Sequence, residues 1–336
     1  MKENISIIPV GSKNLVKVYN SIMISYKILF KDIEDLFNEA FYLMNSKHLT
    51  RGEANFCLNL EINKKYTFVN KYKYKAMQTE DYEKAIQLFS DVLELKQNHI
   101  YSYNYRGIAK IKLKNYKGAI EDFNKAIEID PLYANAFINR GFGKKSLKDY
   151  EGALEDYNRA IEIDPLFASA FNKRGIAKSD LKDYEGAIED YNKAIEIDPL
   201  YANVYSNRGD AKCDLKNFEG AIEDYNKAIE INPLYAAAYN NRGNAKSDLK
   251  DFEGAIVEYN KAIEIDPMDA VVYSNRGIAK SDLKDFEGAI EDYNKAIEID
   301  PFDADAYNNR GVAKSNLKDL NGAQEDFAMY NNLKNK

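Results

Sequence analysis

The residue types that do chemistry are present in this chain, but in a pattern that points away from catalysis. His48 and His99 are the only histidines and Cys57 and Cys213 the only cysteines, each isolated in sequence. No zinc spacing can be built from them, and no disulfide framework either. No Gly-rich phosphate loop, Gly-x-Ser-x-Gly turn or His-Glu-x-x-His helix occurs. Aspartate and glutamate are abundant, but many recur at the same offsets from repeat to repeat. A carboxylate pair repeated in every unit reads as a solvated or salt-bridged face rather than an acid–base dyad. The expectation is therefore a non-enzyme with no cofactor and no metal. Asparagine, which both donates and accepts hydrogen bonds, is the remaining chemical candidate, and it too recurs in columns.

The repeat must position these columns. Residues 165–198 return, slightly varied, from Pro131, Pro199, Pro233, Pro267 and Pro301, and Gln97 opens a copy without the proline. A fixed period of this length with a helix–turn–helix pattern inside it signals a helical array. Ala168, Phe171, Gly175 and Ala177 share one face of a first helix running to Leu181. Lys182 and Asp183 break the pattern, and Asp183 is a suitable N-cap. Tyr184, Ala187, Ile188, Tyr191, Ala194, Ile195 and Ile197 form the stripe of a second helix. Asp198-Pro199 ends it, because the residue before proline is pushed out of the α region. The spacing predicts Gly175 against Ala187 within a unit, Ala194 against the next unit, and Tyr191 and Phe171 in the gaps. One hairpin cannot bury its own apolar faces, so neighbours must stack.

These residues resemble the tetratricopeptide repeat. Phe171, Gly175, Tyr184, Ala187, Tyr191, Ala194 and Pro199 carry the resemblance, with counterparts in each unit. It implies an all-α fold, a right-handed superhelical solenoid of antiparallel helix pairs. One position departs from the family: arginine stands before the glycine where leucine is usual, as Arg106, Arg140, Arg174, Arg208, Arg242, Arg276 and Arg310. A half-buried arginine needs a partner, and the expected one is an acid of the second helix, such as Asp190 for Arg174.

The domain reading is a cap over residues 1–62, a degenerate repeat over 63–99 and seven repeats over 100–336. Residues 1–20 are the least periodic. Ile22, Tyr26, Leu29, Ile33, Leu36, Ala40 and Met44 predict a helix near 21–45, and Thr50 with Glu53 a capping box before another near 51–62. In the degenerate repeat, Asp81, Tyr82, Ala85, Phe89, Val92 and Leu95 match a second helix, while Lys73 occupies the glycine position. At the far end Tyr330 replaces the small alanine, and Asn331 and Asn332 replace isoleucine and glutamate. Such an ending suits a helix with no repeat to receive.

The chain has 336 residues, 45% hydrophobic, and a net charge of −7. Residues 1–62 are balanced and 63–75 carry five lysines without an acid, which leaves −12 on the rest. An acidic array argues against wrapping nucleic acid. Lys64, Lys65, Lys71, Lys73 and Lys75, interleaved with tyrosines and a phenylalanine, suggest a weak nucleic-acid patch or, more simply, an amphipathic helix with solvated lysines. Glu3, Pro9, Gly11 and Lys27 interrupt any signal-like or spanning apolar run, so a cytoplasmic protein without a membrane span is expected.

In the resembling family, first helices line a concave groove that binds extended peptides or helices. The resemblance maps four columns there. The first is Asn139, Lys173, Asn207, Asn241, Asn275 and Asn309. The second is Ile138, Asn172, Ser206, Asn240, Ser274 and Asn308. The third is Phe142, Ile176, Asp210, Asn244, Ile278 and Val312. The fourth is Asp180, Asp214, Asp248 and Asp282. Two readings of the asparagines stand: a ladder holding a partner's backbone, or bonds that set repeat stacking. The columns are too poor in lysine to hold a terminal carboxylate, as some family members do. The leading expectation is a scaffold binding a protein or peptide, basic or polar, along the groove. The alternatives are a targeting subunit docking through residues 1–62 and a weak nucleic-acid binder.

Overall fold

The computed structural model describes residues 82–335. The expected cap, its two helices and the lysine-rich segment 64–75 lie outside the described residues. Within them there are fifteen helices and no strand. The chain divides into two compact units at Ile163. The first contains α1 (Tyr82–Leu95), α2 (Ile100–Lys112), α3 (Tyr116–Ile129), α4 (Ala134–Ser146) and α5 (Tyr150–Ile163). The second contains α6 (Ala168–Asp180), α7 (Tyr184–Ile197), α8 (Ala202–Asp214), α9 (Phe218–Ile231), α10 (Ala236–Asp248), α11 (Phe252–Ile265), α12 (Ala270–Asp282), α13 (Phe286–Ile299), α14 (Ala304–Asn316) and α15 (Leu320–Lys334).

Local chemistry explains the punctuation. Each first helix stops at a leucine C-cap, and the next residue is a lysine in the left-handed region, as with Lys182 at φ 64° and Lys250 at φ 64°. The backbone closes there as in a Schellman turn: Lys182 N–H donates to Ser179 and Asp183 N–H to Lys178. The expected cap of the second helix is present, since Asp183 accepts from Gly186 N–H at 3.1 Å. The second helix ends at Asp198, whose carboxylate accepts from Leu200 N–H at 3.1 Å and so shapes the turn around Pro199.

Within each unit, every helix packs on its neighbours in sequence. First helices also touch the first helix of the following repeat, whereas consecutive second helices make no such contact among the described residues. Within each unit the first helices therefore lie closer together than the second helices and form its inner side. The core is alanine and tyrosine: Ala187, Ala194, Tyr191 and their counterparts Ala221, Ala228 and Tyr225 are buried. Ala296 clusters with Ala306 of the next repeat, as expected of the Ala194 position.

One expected contact is different. The nearest neighbour of Gly175 is Tyr191 rather than Ala187; a Cβ built on it would meet the Tyr191 ring at 2.6 Å, and one on Gly243 would meet Tyr259 at 2.6 Å. The glycine seats the tyrosine. The alanine before it clusters with the following repeat, as Ala221 does with Ala245 and Ala289 with Ala313. A tyrosine ring reaches farther across a helix pair than an alanine methyl, so it takes the space that the missing side chain leaves.

Candidate functional site: the face of the first helices

The inner face begins with the arginines, which fix the helices that carry it. Arg174 donates from Nε and Nη2 to the Asp190 carboxylate at 2.9 and 2.5 Å, meeting the expected pairing. The same fork joins Arg106 to Asp122, Arg140 to Asp156, Arg208 to Asp224, Arg276 to Asp292 and Arg310 to Asp326. These carboxylates are buried. The third guanidinium nitrogen reaches back one repeat: Arg208 Nη1 donates to Asn192 at 2.6 Å and Arg276 Nη1 to Asn260 at 2.6 Å. Each guanidinium also lies over the aromatic ring three residues earlier, such as Arg208 over Tyr205 at 5.5 Å. The arginine thus ties its own hairpin together and ties it to the preceding second helix.

A lysine one turn on completes the site. Lys178 Nζ sits 3.0 Å from Asp190 and donates to the Gly186 carbonyl, and Lys212 and Lys280 do the same with Asp224 and Asp292. None of these lysines neutralises the aspartates that end the first helices. Lys178, Lys212, Lys246 and Lys280 all turn to the second-helix acid instead. Asp214, Asp248 and Asp282 are exposed at the last residue of α8, α10 and α12, and none has an ion-pair partner among the described residues.

The asparagines form a diagonal ladder. In the first unit, Asn139 Nδ2 donates to Asn104 Oδ1 at 2.9 Å. In the second, Asn207 donates to Asn172 at 2.9 Å, Asn275 to Asn240 at 3.0 Å, and Asn241 to Asp210 at 2.9 Å. Asn172 is buried; Asn139, Asn207, Asn241, Asn244, Asn275 and Asn309 are half-buried; Asp210 is exposed. The stacking role is thus present in both units. It consumes one amide hydrogen of each donating asparagine and leaves the carbonyl oxygens of Asn207 and Asn275 without a donor among the described residues. What the ladder still offers a ligand is these acceptors, beside one remaining amide hydrogen on each donating asparagine.

The tyrosine hydroxyls are part of the site, and reading the tyrosines as gap-filling core residues missed this. Tyr225 Oη donates to Asp210 at 2.8 Å and Tyr259 Oη to Asn244 at 2.8 Å. Desolvation pushes both phenols well above their ordinary value, and the charges of Asp210 and Asp248 respectively add to it. Desolvation likewise raises Asp210, against its bonds from Tyr225 and Asn241. Cys213 lies 3.5 Å from the Tyr225 hydroxyl, and its thiol is raised first by desolvation, which makes it a poor nucleophile. Asn244, Ser247, Asp248, Tyr259, Asn275 and Ile278 line a cavity of about 220 Å³. Three of the mapped columns converge there. Among the described residues no cluster of His, Cys, Asp or Glu suits a metal, and no helix is long and apolar enough to cross a membrane.

The comparisons agree with this architecture. The general features of the fold, helix pairs in sequence order, are shared with the Cut9–Hcn1 hetero-tetramer of APC/C (TM-score 0.60, 15% identity, 88% of this chain and 59% of that one).

 

PilF of Pseudomonas aeruginosa shares the same arrangement (TM-score 0.54, 20% identity, 60% of this chain and 92% of that one). Both likenesses concern the fold alone. YrrB, described as a TPR protein with an unusual peptide-binding site, is 26% identical over 56% of this chain and 96% of its own, with a TM-score of 0.45. Comparison with curated proteins gives no match. The family profile described as TPR repeat matches residues 144–181, 178–215, 209–250 and 280–317, and the one described as Tetratricopeptide repeat matches 100–133 and 236–269. Together these matches cover more than half of the chain, which belongs to the tetratricopeptide repeat family.

Proposed function

We propose that this protein is a non-enzymatic interaction scaffold that binds an extended segment of a protein partner, basic or polar in character, along the face of its first helices. The carrying observation is the row of Asp214, Asp248 and Asp282, exposed at successive helix ends without an ion-pair partner among the described residues. A carboxylate at a helix C-terminus is disfavoured by the helix dipole, so a cationic partner relieves it. The asparagine ladder supports the same reading, because its spare carbonyl oxygens suit a partner that brings donors.

The test is to change Asp214, Asp248 and Asp282 together to asparagine and to measure binding of a partner purified from the native cell. Slower association and a flatter salt dependence are expected, since surface charge acts mainly on encounter. Unchanged binding with unchanged salt dependence would remove the reason for a basic partner.

A further inference from the structure

The cavity between α10, α11 and α12 has a composition that selects one kind of occupant. Its volume of about 220 Å³ is below the roughly 300–1,000 Å³ of sites that enclose a whole small molecule. It is the size of a site for one side chain. Its polar atoms are already partly committed. Tyr259 gives its hydroxyl hydrogen to Asn244 Oδ1 at 2.8 Å, and Asn275 gives an amide hydrogen to Asn240 Oδ1 at 3.0 Å. The Tyr259 oxygen, the Asn275 carbonyl oxygen and the Asp248 carboxylate remain as acceptors. Ser247 can act either way, and the Asn244 amide nitrogen and the second amide hydrogen of Asn275 are the dedicated donors left.

The apolar member of the lining is Ile278, 41% exposed. A long side chain with an apolar stem and a charged head matches such a pairing of wall and acceptors. Lys246, which could have neutralised Asp248 from within, is held by Glu258 at 2.5 Å. The neighbouring repeats differ. At the position of Asn244, the preceding repeat has Asp210, already bonded by Tyr225 and Asn241. The following repeat has Ile278 there, with Val312 beyond it.

We propose that this cavity is a recognition pocket for one basic side chain, lysine or arginine, of a partner polypeptide, its stem on Ile278 and its head on Asp248 and the neighbouring oxygens. The inference rests on the reading of the first-helix face as the binding face. An acidic side chain would meet Asp248, and an apolar one would leave the acceptors unpaired.

The experiment uses the full chain labelled at isoleucine methyl groups, with the Ile278 signal assigned through Ile278→Val. The probes are blocked peptides Gly-Ser-X-Ser-Gly in which X is lysine, arginine, norleucine or glutamate. The lysine or arginine peptide should shift the Ile278 methyl saturably, and norleucine and glutamate should not. Asp248→Asn should weaken the response about fivefold, the upper range for one solvent-accessible ion pair. Asp282→Asn, one repeat away, should leave it unchanged. A norleucine response equal to that of lysine, no saturable response to either basic peptide, or indifference to Asp248→Asn would overturn the pocket. If the purified partner still lost affinity in the triple aspartate variant, the scaffold reading would stand while this proposal fell.

Discussion

Glu258 shows how narrowly the arginine site is cut. It replaces the aspartate found at this place in the other repeats described, and its extra methylene carries the carboxylate past the fork. Arg242 then reaches Glu258 through Nη2, Lys246 takes the other oxygen, and Arg242 Nε is buried without a partner. Glu258→Asp should restore the two-pronged pair and stabilise by about 1 kcal/mol, the usual cost of one unsatisfied buried donor. Urea unfolding would measure it, and a destabilised variant would refute the account. His99 gives the second prediction at this scale. Its ring caps α2, with Nδ1 accepting from Ser102 N–H at 3.3 Å, which requires a neutral ring. Burial, with help from the Lys96 charge, lowers its pKa from 6.5 to about 4. A depressed histidine pKa favours the native state while the ring is neutral. The contribution is full above pH 6.5 and fades as pH falls toward 4. Amide exchange in α2 should therefore accelerate over that window, and His99→Asn, which keeps an acceptor but cannot titrate there, should abolish the effect.

The helices and their ends were largely legible from the letters, because periodicity and caps are local. The first helix was read from Ala168 to Leu181 and runs from Ala168 to Asp180, and Asp183 caps the next. The arginine partner was legible too, since a charge recurring in a half-buried column has few acids within reach. What could not be read was direction. Whether Asn207 turns its amide to a ligand or to Asn172, and whether Lys178 serves Asp180 or Asp190, depends on side-chain paths across a repeat boundary. The lysine in the left-handed turn is another such feature, because lysine gives no signal for positive φ. A non-glycine residue there costs about 1 kcal/mol. Lys250→Gly should relieve it and gain somewhat less, since glycine is also freer in the unfolded chain. Lys250→Val should destabilise, because branching at Cβ opposes the same backbone. Denaturant midpoints of the two variants should move in opposite directions, and movement in the same direction would mean that the turn is unstrained.

At the scale of the array, stability comes from repeats leaning on their neighbours. In the second unit each helix packs on the next in sequence, and among the described residues the only further helix pairs in contact there are first helices of adjacent repeats. Energy introduced at one place has no long-range contact through which to spread. Ala255 tests this well. It is fully buried and clusters with Tyr259 and with Ala279 of the following repeat. Ala255→Leu would insert a branched side chain into that space, at a cost of about 1–3 kcal/mol. The corrected packing changes where the damage should appear. Were Ala255 set against Gly243, the strain would fall within one hairpin. Because it clusters with Ala279, the strain should reach α12 as well as α11. Hydrogen exchange should rise first in α10 to α13, while α6, α7 and α15 keep their protection. Uniform loosening across residues 164–335 would show a globally cooperative core instead, and would contradict nearest-neighbour stabilisation in this unit.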